Sequence, residues 1–233
     1  MKDIIVLEEN DLWRISMIDG DTDIVTVSIS SSPRIGQEFA NEEFIGTSSK
    51  DGKAIFLIDK TNSFGNRLDW PHIVELLTPH LKDKTVRAIG FCMGGFLATV
   101  LSKYFNVDSV VAITPQYGVA PEYFPPKDYD GERFDWFTEL YTDRIDVFHI
   151  PSLDGYFQDE TRYYIFNSSF DLDQMQIKYF PQQENIIVFE FGEDYGHGLP
   201  GDLGEDLPVL VEECFDHRPE AVYDYILSHY SSD

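Results

Sequence analysis

With 233 residues, 42% of them hydrophobic and 15% aromatic, the chain has enough apolar material for one sizeable core and is expected to form a single domain, 1–233. Its 42 acidic against 17 basic residues give a formal charge of −25, which repels phosphate backbones and anionic headgroups and argues against nucleic acid or acidic membrane as a partner. Two cysteines, Cys92 and Cys214, are too few for a disulfide scaffold or a multi-cysteine zinc site, and no run approaches the ~18 apolar residues of a membrane span, so a soluble cytoplasmic protein is expected.

From the start of the chain, Ile4 to Glu8, Leu12 to Ile18 and Ile24 to Ser30 read as strands joined by short polar turns. They predict an antiparallel N-terminal edge. Asp19-Gly20-Asp21-Thr22-Asp23 opens like a calcium loop, but Ile24 stands where that loop needs glycine and Ser30 where it needs glutamate, so it reads as a turn. From residue 54 onward the pattern changes. Apolar runs at Ala54 to Asp59, Val86 to Phe91, Ser109 to Thr114, Arg162 to Asn167 and Asn185 to Phe191 suit strands buried on both faces. Amphipathic stretches at Trp70 to His80, Gly94 to Phe105, Asp173 to Phe180 and Ala221 to Tyr230 alternate with them, predicting a mostly parallel sheet with helices on both faces. The segment from Gln116 to about Glu160 is far longer than the roughly 2 to 6 residues of an ordinary αβ connection. It is expected to be an insertion, 116–160, with its own small structure.

The sharpest motif is Gly90-Phe91-Cys92-Met93-Gly94-Gly95, where a strand runs into Gly-x-Cys-x-Gly and then into a helix. This is the nucleophile-elbow pattern with cysteine in place of serine. The nucleophile of such an elbow sits on a strained strand-to-helix turn, so the residues two before and two after it must be small. Gly90 and Gly94 meet that need, and the helix N-terminus favours a thiolate and a developing oxyanion.

These residues resemble the α/β-hydrolase fold, and the cysteine elbow followed by Gly-Gly is similar to the dienelactone hydrolase branch. A broader resemblance, over about residues 24 to 200, is to α/β-hydrolase-like proteins of bacterial surface-polysaccharide loci. It is carried by Phe56-Leu57-Ile58-Asp59, Gly65-Asn66, the elbow, and Thr114-Pro115-Gln116-Tyr117. Those relatives usually have serine at the elbow, from which Cys92 departs.

The elbow calls for an acid and then a histidine, in that chain order. His197 follows the last strand between Gly196 and Gly198, whereas His217 and His229 fall in or beside C-terminal helices. His197 is therefore the expected base. The loop after Arg162 to Asn167 offers Asp171 and Asp173 as the acid; Asp173 is preferred, because it aligns with the acid of the polysaccharide-locus relatives, and Asp171 lies nearer the strand. For an oxyanion hole, the Met93 N–H is one donor, and the resemblance places the second around Ser31 in Ser30-Ser31-Ser32-Pro33-Arg34. Arg34 is a candidate for an anionic substrate group. In the insertion, read as a cap, Tyr117, Tyr123 and Trp136 are the pocket candidates, while Phe134, Phe137 and Tyr141 fall at helical spacing and should face the body.

No Walker A motif, dinucleotide glycine pattern or helical histidine pair is present, so no cofactor or metal is expected. The expected activity is that of a hydrolase or acyl transferase acting on an ester, thioester or lactone through an acyl-cysteine. Its substrate would be a small acyl compound, carbohydrate-linked acyl groups included. The alternative is a catalytically weak scaffold in surface-polysaccharide biosynthesis.

Overall fold

The computed structural model describes residues 3–33, 40–50, 52–124, 145–192 and 194–230. Its strands are β1 (Ile5–Glu9), β2 (Trp13–Ile18), β3 (Ile24–Ile29), β4 (Lys53–Asp59), β5 (Thr85–Phe91), β6 (Val107–Ile113), β7 (Arg162–Asn167) and β8 (Ile186–Glu190). They form one sheet in the order β1-β2-β4-β3-β5-β6-β7-β8. Helices α1 (Ile45–Ser48), α2 (Trp70–Leu81), α3 (Met93–Leu101), α4 (Asp171–Gln176), α5 (Leu199–Leu203), α6 (Leu207–Phe215) and α7 (Pro219–Tyr230) follow or flank the strands.

Only β1 and β2 run antiparallel to their neighbours; β3 to β8 are parallel. The N-terminal edge is therefore smaller than the sequence pattern suggests, because β3 leaves it and inserts between β4 and β5. The physical reason lies in its composition. Ile-Val-Thr-Val-Ser-Ile alternates like a half-exposed strand, yet Thr26 and Ser28 are buried along with Val25, Val27 and Ile29. The Ser28 hydroxyl donates to the Glu43 carbonyl at 2.7 Å, and beyond the strand Ser30 donates to the Asn41 carbonyl at 2.6 Å. These bonds satisfy polar groups that the sequence pattern assigns to solvent.

Successive residues of the central strands point to opposite faces, which gives two cores. Ala88, Val110, Ala112, Tyr163 and Ile165 pack with residues of α2 and α3 on one face. On the other, Ile89, Val111, Ile113, Tyr164 and Phe166 pack with residues of α5, α6 and α7. A sheet buried on both sides presents the carboxyl ends of its parallel strands as the open place for chemistry.

After β6 the chain makes an excursion whose two ends meet. Gly118 pairs antiparallel with Ser152, the Val119 N–H donates to the Pro151 carbonyl at 2.9 Å, and the Leu153 N–H donates to the Tyr117 carbonyl at 2.8 Å. Such a stem closes the two ends of the expected insertion on each other, and Asn66 binds the Ile150 backbone beside it. Its middle, with Trp136, Phe134, Phe137 and Tyr141, lies outside the described residues, as does Arg34. Among the described residues no helix is long and apolar enough to cross a membrane.

Candidate active site

Cys92 stands between β5 and α3 with φ 53° and ψ −118°, a conformation that costs a non-glycine residue about 1–3 kcal/mol. The neighbouring backbones hold it there. The Cys92 N–H donates to the Ile113 carbonyl at 2.9 Å, and its own carbonyl accepts from the Phe96 N–H at 3.1 Å. A Cβ on Gly90 would lie 2.2 Å from the Gly94 carbonyl oxygen, and one on Gly94 would lie 2.1 Å from that of Ile29. Both positions therefore require glycine. The second contact also brings the end of β3 against the first turn of α3, where Met93 has no intrahelical partner for its N–H. The turn leaves Cys92 5% exposed.

Asp173 lies in the first turn of α4 and is buried. Its carboxylate faces His197 Nδ1 at 2.9 and 3.0 Å, and Oδ2 also accepts from the Ser168 hydroxyl at 2.5 Å. Asp171, two residues earlier, is exposed at the first helical position, where a negative charge suits the helix N-terminus. With Nδ1 bonded to Asp173, Nε2 is the nitrogen left for the thiol. Burial lowers the basicity of His197, but the electrostatic attraction of an ionised Cys92 sulfur and hydrogen bonds to Asp173 and Cys92 outweigh it and raise its pKa to about 10. His197 thus responds to both Asp173 and Cys92.

The loop carrying His197 is not shaped by its glycines. Gly198 has φ −73°, ordinary for any residue, and Gly196 is not in the left-handed region either. Hydrogen bonds hold the loop instead. Ser169 donates to the Tyr195 carbonyl through its hydroxyl at 2.9 Å and its N–H at 3.2 Å, and the Thr114 hydroxyl donates to the His197 carbonyl at 3.2 Å. Thr114 does so from φ 40°, an outlier for a β-branched residue, at the end of β6. We expect Thr114→Val to lower turnover about tenfold through loss of this bond while KM stays near wild type, and Thr114→Ser to restore most of it. Equal turnover in wild type and Thr114→Val would remove the positioning role. The rings of Phe91 and Phe170 flank the imidazole at centroid distances of 5.3 and 5.9 Å.

No family model matches the chain, and no curated relative does. Solved structures do. An esterase of Pyrococcus furiosus superposes with a TM-score of 0.57 at 12% identity, covering 93% of this chain and 92% of that one. An alpha/beta hydrolase fold protein from Chitinophaga pinensis gives 0.55 at 11% identity, with 93% and 98% covered. The chain has the α/β-hydrolase fold. The capsule O-acetyltransferase of Neisseria meningitidis serogroup A shares it as well, with a TM-score of 0.52 at 15% identity over 94% of this chain and 92% of that one.

Within that fold, the other residues singled out by sequence fall in different places. Ser31 lies beyond β3, but its N–H donates to the Glu43 carboxylate at 2.9 Å and its hydroxyl reaches the same carboxylate at 2.6 Å. Tyr117 and Tyr123 pack on each other and on Tyr179, with centroids 5.3 to 5.8 Å apart, and Tyr123 donates to the Ser152 hydroxyl at 3.1 Å. Gln176 of α4 accepts from the Tyr117 and Gly118 N–H groups, both at 2.9 Å. These contacts fasten the stem of the insertion to the helix that carries Asp173. Among the described residues no cluster of three or more His, Cys, Asp or Glu side chains is arranged to hold a metal.

Sequence reasoning overlooked Thr114, Gln116, Ser168 and Glu43 as site residues. Gln116 and Thr114 were visible only as part of a family-like run. Ser168 bonds Asp173 five residues on within one loop, which a serine in a polar loop does not announce, and Glu43 meets Ser31 only through the packing of separate loops.

Proposed function

We propose that the chain is a cysteine-dependent hydrolase or acyl transferase acting on an ester, thioester or lactone. The observation that carries this reading is the pairing of His197 Nδ1 with a buried Asp173 while Nε2 is left for Cys92. Asp173 holds the tautomer and supports the imidazolium. The Cys92 proton passes to Nε2, and the thiolate attacks the acyl carbon, whose carbonyl π pair moves onto oxygen beside the Met93 N–H. As the pair returns, the leaving alkoxide or thiolate takes the proton from Nε2. His197 then accepts a proton from water or an acceptor hydroxyl, which attacks the thioester and frees Cys92. Because a thiolate leaves more readily than an alkoxide, activated acyl groups suit this site better than amides. The likeness to a capsule O-acetyltransferase supports a carbohydrate hydroxyl as an acceptor in place of water. We assign the insertion 116–160 to a cap over the acyl site, with Tyr117 and Tyr123 anchoring its stem and Trp136 in its middle.

A second reading, a scaffold with residual activity at most, is favoured by one contact. The Glu43 carboxylate occupies the Ser31 N–H that would serve as the second oxyanion donor, and a negative charge there disfavours an oxyanion. Chromogenic esters and thioesters of graded acyl length, with anilides as controls, separate the two. Turnover of the short activated esters and thioesters, and none of the anilides, supports the enzyme. No turnover of any member, by a folded protein, supports the scaffold.

A further inference from the structure

Gln116 lies three residues past the end of β6 and is completely buried. Its Oε1 accepts the Cys92 thiol at 3.5 Å, while its Nε2 is buried without a hydrogen-bond partner. An orphaned buried donor of this kind is costly, and here it adjoins the sulfur through its own amide. We propose that Gln116 is a further catalytic residue, whose amide turns over when Cys92 ionises and donates Nε2–H to the thiolate. The proposal rests on Cys92 being the nucleophile.

The two ends of a primary amide are nearly the same size, so a half-turn about its last bond exchanges them in place. With a neutral thiol, Oε1 toward sulfur accepts S–H. Once that proton has moved to His197 Nε2, the same oxygen would face an anion, and the half-turn brings an N–H to the sulfur. The orphan then becomes an acceptor, which buried sites tolerate better than an orphan donor. When the sulfur–carbon bond forms, the sulfur lone pair is spent on the acyl carbon and the amide is released to turn back. The charged groups around Cys92 among the described residues are His197, after β8, and Asp173 behind it on α4, with Glu43 held on Ser31. The α3 helix and the run Thr114-Pro115-Gln116-Tyr117 contribute no charge. Gln116 is thus an uncharged group whose amide lies on the Cys92 sulfur.

Iodoacetamide alkylation of the intact protein tests this without a known substrate. Buried Cys214, whose pKa is raised well above the usual thiol range by burial, is the internal control for folding. In wild type, Cys92 should alkylate ahead of Cys214 at about pH 6. Gln116→Met keeps the volume without a donor, and Gln116→Glu keeps the shape with an acceptor only. Both should slow Cys92 alkylation about tenfold or more at about pH 6, with little change at about pH 10, above the ordinary range of thiols. Wild-type rates in both variants at both pH values would overturn the proposal and leave the nucleophile reading standing. Slow labelling of Cys92 in wild type itself would instead remove that reading. Reactive Cys214 in both variants would mark Gln116 as a packing group, and the proposal would fall.

Discussion

Cys92→Ala is expected to lose acyl turnover by about 10,000-fold while keeping its fold. The substitution removes the sulfur alone. The turn that holds residue 92 is imposed by Gly90, Gly94 and the backbone bonds to Ile113 and Phe96, none of which the variant touches. Thermal stability should therefore stay close to wild type. Residual activity should come only from binding and the Met93 N–H. A variant that turns over chromogenic esters within about tenfold of wild type would show that the acyl group never resides on Cys92.

His197→Ala should lose nearly as much, about 1,000-fold or more, because one imidazole serves both proton transfers. The contrast is with the other C-terminal histidines. His217 is committed to Asp108 at 3.1 Å and to the Tyr164 hydroxyl at 3.1 Å, and His229 stacks on Tyr225 with centroids 4.0 Å apart. His217→Ala and His229→Ala should keep full turnover per folded molecule. The pH profile follows from the same geometry. Because the folded pKa of His197 is raised from its ordinary 6.5 to about 10, the imidazolium that protonates the leaving group persists through neutrality. The alkaline limb of the rate should fall near pH 10, and a limb near pH 7 would mean that the thiolate–imidazolium pair is not the reactive form.

Much of this arrangement is legible in the sequence because it is local. Gly90, Cys92 and Gly94 lie within five residues, so spacing alone marks the tight turn that the backbone adopts. The apolar runs of β4 to β8 mark a sheet buried on both faces. Chain order points to His197 and leaves Asp171 and Asp173 open, while the family resemblance prefers Asp173, whose carboxylate meets His197 at 2.9 Å. Other features depend on distant partners. The central place of β3 is decided by burial of Thr26 and Ser28 against a segment more than ten residues away. Gln116 reads as a loop residue until the fold sets its amide on the sulfur. Glu43 shows no sign in the sequence of reaching Ser31, and the glycines beside His197 suggest a freedom the loop does not use.

The covalent intermediate is the most direct test. Wild-type protein mixed briefly with a chromogenic acetyl ester, quenched in acid, digested and examined by mass spectrometry should carry one acetyl group on the peptide containing Cys92, removable by neutral hydroxylamine. Ester turnover accompanied by an acetyl group on any other residue, or by none on Cys92, would contradict the thiol chemistry proposed for this site.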